Sequence, residues 1–159
     1  MKALLVLLCL LTASSYTVPL TAQVIVTGIV YRLDPKNGYE RLPNVRLVAF
    51  REAPTGAKAI SDSTGRFELK VPDGPPFKIV FYDNDRLPEM QQLAGKAGLR
   101  NSIEVALLTP EEHQRIMGGH VPLVEKLQCV LRELPKEGPD VEEVRGIIMK
   151  LQIRLKQTR

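Results

Sequence analysis

The chain has 159 residues, 44% of them apolar and 25% charged, which suits one domain, or a small domain with an appendage, and argues against wholesale disorder. Lys and Arg number 22 against 18 Asp and Glu, and a net charge of +4 is too small to imply a nucleic-acid partner. Two Cys and two His exclude a multi-cysteine zinc site and a dense disulfide framework, and 5% aromatics with no Trp disfavour a surface of exposed rings for sugars or bases.

Lys2 precedes an unbroken apolar run from Ala3 to Leu11, and Thr12, Ala13, Ser14 and Ser15 follow it. One positive charge, a short oily stretch and then small residues is the layout of a secretory signal peptide. The run is too short to span a bilayer, which takes roughly 20 residues. Residues 1–22 are therefore expected to be a leader. Cleavage after Ser15 satisfies the small-x-small rule through Ala13; cleavage after Ala22 leaves Leu20 in the third position back. The competing reading is an uncleaved anchor or a buried first strand. Cys9 lies inside the apolar run without small residues before it, which makes it a poor lipid-attachment site. Removal of the leader would leave Cys129 as the one thiol, either buried or paired between chains, and its setting in a helical pattern favours burial. The protein is expected to be secreted or periplasmic, with no integral membrane span once the leader is gone.

From Gln23 to Leu108 the apolar signal has period two. Val24 to Tyr31 is apolar on both faces apart from Thr27 and Gly28, as a central strand would be. Val45, Leu47 and Ala49 alternate with Arg46, Val48 and Phe50. Ala57 to Ser61 predicts a shorter, weaker strand. Phe67, Leu69 and Val71 alternate with Arg66, Glu68 and Lys70; Phe77, Ile79 and Phe81 share one side of the next strand. Segment 83–101 is longer and less regular, with one helical turn expected between Leu87 and Leu93, and Ile103, Val105 and Leu107 form a last strand. Turn residues punctuate the series at Asp34–Gly38, Leu42–Asn44, Ala53–Gly56, Asp62–Gly65 and Pro72–Pro76. Short strands at this spacing predict a mainly β protein, a sandwich of antiparallel sheets. In the hairpin Ser61–Leu69, Asp62 is expected to accept backbone hydrogen bonds, Gly65 to take positive φ, and Phe67 to anchor the next strand. These three are structural turn residues, and no neighbouring base or second carboxylate makes Asp62 catalytic.

Val26-Thr27-Gly28-Ile29-Val30, Leu42-Pro43-Asn44-Val45-Arg46-Leu47, the hairpin Asp62-x-x-Gly65-x-Phe67-x-Leu69 and the turn Pro72–Phe77 together resemble the carboxypeptidase regulatory-like domain. The resemblance covers 24–83 well and 84–108 loosely. It implies an Ig-like/transthyretin-like (prealbumin-like) antiparallel β-sandwich over 23–108, and an accessory module of exported proteins rather than a catalyst. Enzymes of related fold do not match. Zinc carboxypeptidases use a His-x-x-Glu pair, but Ile116 follows His113 and Leu123 follows His120 at that spacing. The transthyretin-like hydrolase uses further His residues, and here none precedes His113.

Beyond Leu108 the period changes to that of helices, giving a C-terminal α-helical tail, 109–159, of two or three helices. Thr109-Pro110-Glu111-Glu112 is a helix start, and Gly118-Gly119 a stop. A second helix is expected from Pro122 to Leu134 with Val124, Leu127, Leu131 and Leu134 as its stripe, widened by Val130. A third follows from Asp140 towards Gln157 with Val141, Val144, Ile148, Leu151 and Leu155, extended by Ile147. These stripes either pack within the chain or form a seam for self-association or a partner; two short heptad stretches favour the former.

No catalytic, cofactor-binding or metal-binding residue emerges, and no cofactor is implied. His113 and His120 lack acidic or thiol companions, and Asp83-Asn84-Asp85 lacks the Gly and Glu spacing of a calcium loop. The expected function is an exported, non-catalytic accessory module for protein interaction or assembly at the cell envelope. The alternative is a binding module for peptide, carbohydrate or a small ligand, with segment 83–101 as its candidate site.

Overall fold

A computed structural model describes residues 22–34, 38–96, 98, 100–118 and 121–157; residues 1–21 of the expected leader, with the cleavage site after Ser15, and His120 lie outside the described residues. Eight strands precede three helices: β1 (Gln23–Asp34), β2 (Gly38–Arg41), β3 (Arg46–Phe50), β4 (Pro54–Ile60), β5 (Arg66–Pro72), β6 (Phe77–Tyr82), β7 (Glu89–Leu93), β8 (Arg100–Ala106), α1 (Pro110–Met117), α2 (Val121–Glu133) and α3 (Pro139–Gln157).

The strands form two four-stranded sheets. In the first, β1 is central. Antiparallel β5 pairs with its first half and antiparallel β2 with its last residues. At the changeover Val30 donates its N–H to the Gly65 carbonyl and accepts from the Leu42 N–H, so β5 and β2 lie end to end along one edge of β1. Strand β8 runs parallel to β1 along the other edge, the one parallel pair among the described strands. The second sheet has the order β4-β3-β6-β7 and is antiparallel throughout. Val24, Val26, Val30, Leu47, Phe67, Leu69, Ile79, Phe81 and Val105 fill the space between the sheets, as their alternation demands.

The second sheet is covered on its other face as well. Val48 and Phe50 of β3 and Val80 and Tyr82 of β6 point away from the sandwich core into a second cluster. Leu123, Leu127 and Val130 of α2, Leu134 just beyond it, and Val141, Val144, Ile148, Leu151 and Leu155 of α3 complete that cluster. The molecule therefore has three layers: sheet, sheet, helices. Each fully buried Leu, Ile or Val contributes about 1.5–3 kcal/mol of transfer free energy, and the helices gain theirs from this one sheet face. The tail's stripes are consumed within the chain, and no helix among the described residues is long and apolar enough to cross a membrane.

Several local expectations are corrected. Leu87–Leu93 holds no helical turn: Glu89–Leu93 pairs with β6 as an edge strand, while Leu87 is buried and donates its N–H to the Leu108 carbonyl. Strand β4 starts earlier than expected, at Pro54, because the turn falls on Arg51–Ala53 and the register slips between Val48 and Phe50. The Thr55 hydroxyl takes up that irregularity, donating to the Ala49 carbonyl at 2.6 Å and accepting from the Ala57 N–H. Strand β2 carries no alternating apolar signal, all four residues being exposed, and its pairing with β1 makes it a strand. The stripe of α2 is Leu123-Leu127-Val130-Leu134, rotated from the expected one: Val124 and Leu131 are half-buried at its margin. That rotation leaves Cys129 exposed rather than buried.

Candidate functional site

The hairpin between β4 and β5 places the three turn residues as follows. Asp62 Oδ1 accepts from the Thr64 N–H at 2.7 Å, the Thr64 hydroxyl at 2.8 Å and the Arg66 N–H at 3.0 Å. These bonds, the Thr64 hydroxyl first, hold the Asp62 carboxyl below its ordinary value. Gly65 has φ +71, and a Cβ there would lie 2.7 Å from the Val30 carbonyl oxygen, so both backbone conformation and space call for glycine. Phe67 packs edge-on against Phe81 with centroids 5.4 Å apart. It also covers Gly28, its partner across the ladder, where a Cβ would meet the Phe67 ring and the Ile103 carbonyl. Ser61, which the sequence reading passed over, is the second staple. Its buried hydroxyl donates to the Leu42 carbonyl and accepts from the Val45 N–H, pinning the turn in which Asn44 takes φ +60.

The covered face of the second sheet is closed by charges at its rim. Arg46 lies over the Tyr82 ring, pairs with Glu143 of α3 and donates to Asn84 Oδ1 at 3.1 Å. The Tyr82 hydroxyl donates to Glu143 Oε2 at 3.1 Å, and burial followed by this carboxylate pushes the phenol above its ordinary value. Lys78 pairs with Glu133, Lys126 with Glu89, and Lys58 with Asp140 at 3.4 Å.

The outer face of the first sheet is not covered by the helices. Ile25, Ile29 and Tyr31 of β1 are half-buried there; Leu33 follows at 36% exposure and Tyr39 of β2 at 70%. Tyr31 and Tyr39 meet edge to face with centroids 5.0 Å apart. Ile60, 62% exposed, borders a shallow groove with Thr27, Ile29 and Ser102. Exposed Arg66, Glu68 and Lys70 flank this stripe on β5, and Arg100 and Glu104 flank it on β8.

The remaining candidates are placed individually. Asp83 is a turn cap: its Oδ1 accepts from the N–H groups of Asp85 and Arg86, and its Oδ2 pairs with the Arg86 guanidinium. His113 is buried on α1. Among the described residues no three His, Cys, Asp or Glu side chains gather as a metal site. Among the described residues, segment 83–101 gives only Gln92 to the cavity at the end of the second sheet, which holds about 640 Å³ and is walled by Phe50–Thr55, Pro75, Pro76 and Lys78. Arg51 there is committed, donating to the carbonyls of Pro72 and Pro75 and lying over Phe77.

No family model matches the chain, and no curated protein matches it. Among solved structures it is similar in fold to a minor pilin of Streptococcus agalactiae (7% identity, TM-score 0.45, covering 55% of this chain and 45% of the pilin). The Bacillus anthracis TIE protein is 17% identical with TM-score 0.44 over 55% of this chain and 18% of its own. The 3-chlorocatechol 1,2-dioxygenase of Rhodococcus opacus is 13% identical with TM-score 0.41 over 55% of this chain and 60% of its own. The chain thus spans less than two thirds of each. Both non-enzymes and enzymes share this coarse sandwich likeness, which carries no function with it.

Proposed function

We propose that the chain is an exported, non-catalytic accessory module for protein interaction or assembly at the cell envelope, built on a carboxypeptidase regulatory-like sandwich. Residues 1–22 are its leader, 23–108 the sandwich and 109–159 the helical cover. The observation that carries this reading is the contrast between the two outer faces. Helices α2 and α3 seal the second sheet, while the first sheet keeps the Ile29, Tyr31, Leu33 and Tyr39 stripe open with charges of both signs beside it. The hairpin Asp62–Phe67 is read as structural, its bonds and packing fixing the entry of β5.

The test is a photo-reactive residue at Tyr39 of the full chain in its native cell, with exposed Lys136 as the control position. A discrete adduct from position 39, absent from 136 and lost with Leu33→Glu, supports the reading. Equal labelling at both positions contradicts it. The second reading, a small-ligand module, draws on the cavity beside Arg51, whose volume lies within the usual range for such sites. It predicts a ligand whose binding is lost with Gln92→Ala.

A further inference from the structure

Helix α1 is held to the body of the protein by very little. Its buried side chains are Pro110 and His113 alone. His113 is only 5% exposed, and its Nδ1 has no hydrogen-bond partner. A buried imidazole nitrogen left unpaired is uncommon and asks for a reason. The charged groups facing it are Lys126 of α2 and Glu89 of β7, which are ion-paired with each other. Glu125, Cys129 and Arg132 of α2 line the same groove. On α1 itself Glu112 is engaged with Thr109 in the capping box, while Glu111 and Arg115 are exposed. With the helix docked, no acceptor among the described residues lies within hydrogen-bond reach of Nδ1.

Protonation changes this balance. Imidazolium has two donors, and Nδ1–H would be buried with no acceptor, beside the Lys126 ammonium. Undocking sacrifices the burial of only two side chains. Both ends of α1 are suited to release: the capping box is internal to the helix, and Gly118 at its end has φ +76.

We propose that α1 is an acid-released strap: with His113 neutral it lies against α2, and uptake of one proton by His113 frees it. The direction of titration agrees. Burial first, and Lys126 second, lower the His113 value from the ordinary 6.5. Because the docked value is the lower one, docking is undisturbed above about pH 6.5 and weakens as pH falls through it, by about tenfold per pH unit until the docked value is reached.

Amide exchange on the full chain, compared at about pH 7 and about pH 5 after correction for intrinsic rates, tests the strap. Peptides from 110–117 are expected to lose protection at the lower pH, while those from 141–155 keep theirs. His113→Leu, or His113→Met should the first variant fold poorly, is expected to keep α1 protected at both values. Equal protection of α1 at both values in the natural chain, or the same acid loss in the folded variant, would overturn the proposal. So would a His113 titration midpoint by NMR at or above 6.5.

Discussion

Gly65 combines a left-handed backbone with a backbone oxygen where a side chain would begin. Gly65→Ala is therefore expected to cost about 1–3 kcal/mol, read as a lower urea midpoint at unchanged slope. An unchanged midpoint would remove Gly65 from that role. Asp62→Ala should lower the melting temperature by freeing three donors at once, and Asp62→Asn should lower it less, since the amide oxygen still accepts. Because its carboxyl is held below 3.8, the stability Asp62 lends is present above that value and is lost as pH falls through the lowered one. A carboxyl NMR titration at or above 3.8 would contradict this. The three turn residues were readable because a tight hairpin restricts residue type locally. Ser61 was not: its two partners, Leu42 and Val45, are distant in sequence and meet only in the folded sandwich.

Between elements, the sandwich was legible and the third layer was half-written. Leu47-Val48-Ala49-Phe50 and Ile79-Val80-Phe81-Tyr82 are apolar on both faces, which is how a doubly covered strand reads. Read as alternation, they pointed to one core only. The helices' own stripes were plain, but which sheet they would cover depends on β3 and β6, far away in sequence. Edge strands β2 and β7 carry little apolar alternation and take their form from pairing, so no local pattern announced them. The open face on β1 was present as Ile25, Ile29 and Tyr31, but its central-strand character suggested cover on both sides. Leu127→Ala and Ile148→Ala, at the centre of the helix layer, are each expected to cost about 2–5 kcal/mol in denaturant unfolding. Tyr82→Phe, which removes the hydroxyl bonded to Glu143, should cost about 0.5–1.5 kcal/mol. Values near zero would mean that the helices rest on the sheet without depending on it.

For the whole molecule, export and layering make separate demands. Mass spectrometry of protein recovered outside the cytoplasm should find a chain beginning at Tyr16 or at Gln23; an intact Met1 in that fraction would contradict the leader. A chain ending at Leu108 would bare Val48, Phe50, Val80 and Tyr82, and it is expected to aggregate or unfold where the full chain does not. The central claim is that sandwich and helices are one cooperative structure with a single sealed face. Urea unfolding of the full chain, followed at once by helical circular dichroism and by the methyl NMR signals of Val26 and Leu69 in the sandwich core, tests it most directly. Coincident midpoints are predicted; helices that melt first, leaving the Val26 and Leu69 signals of the sandwich intact, would contradict it.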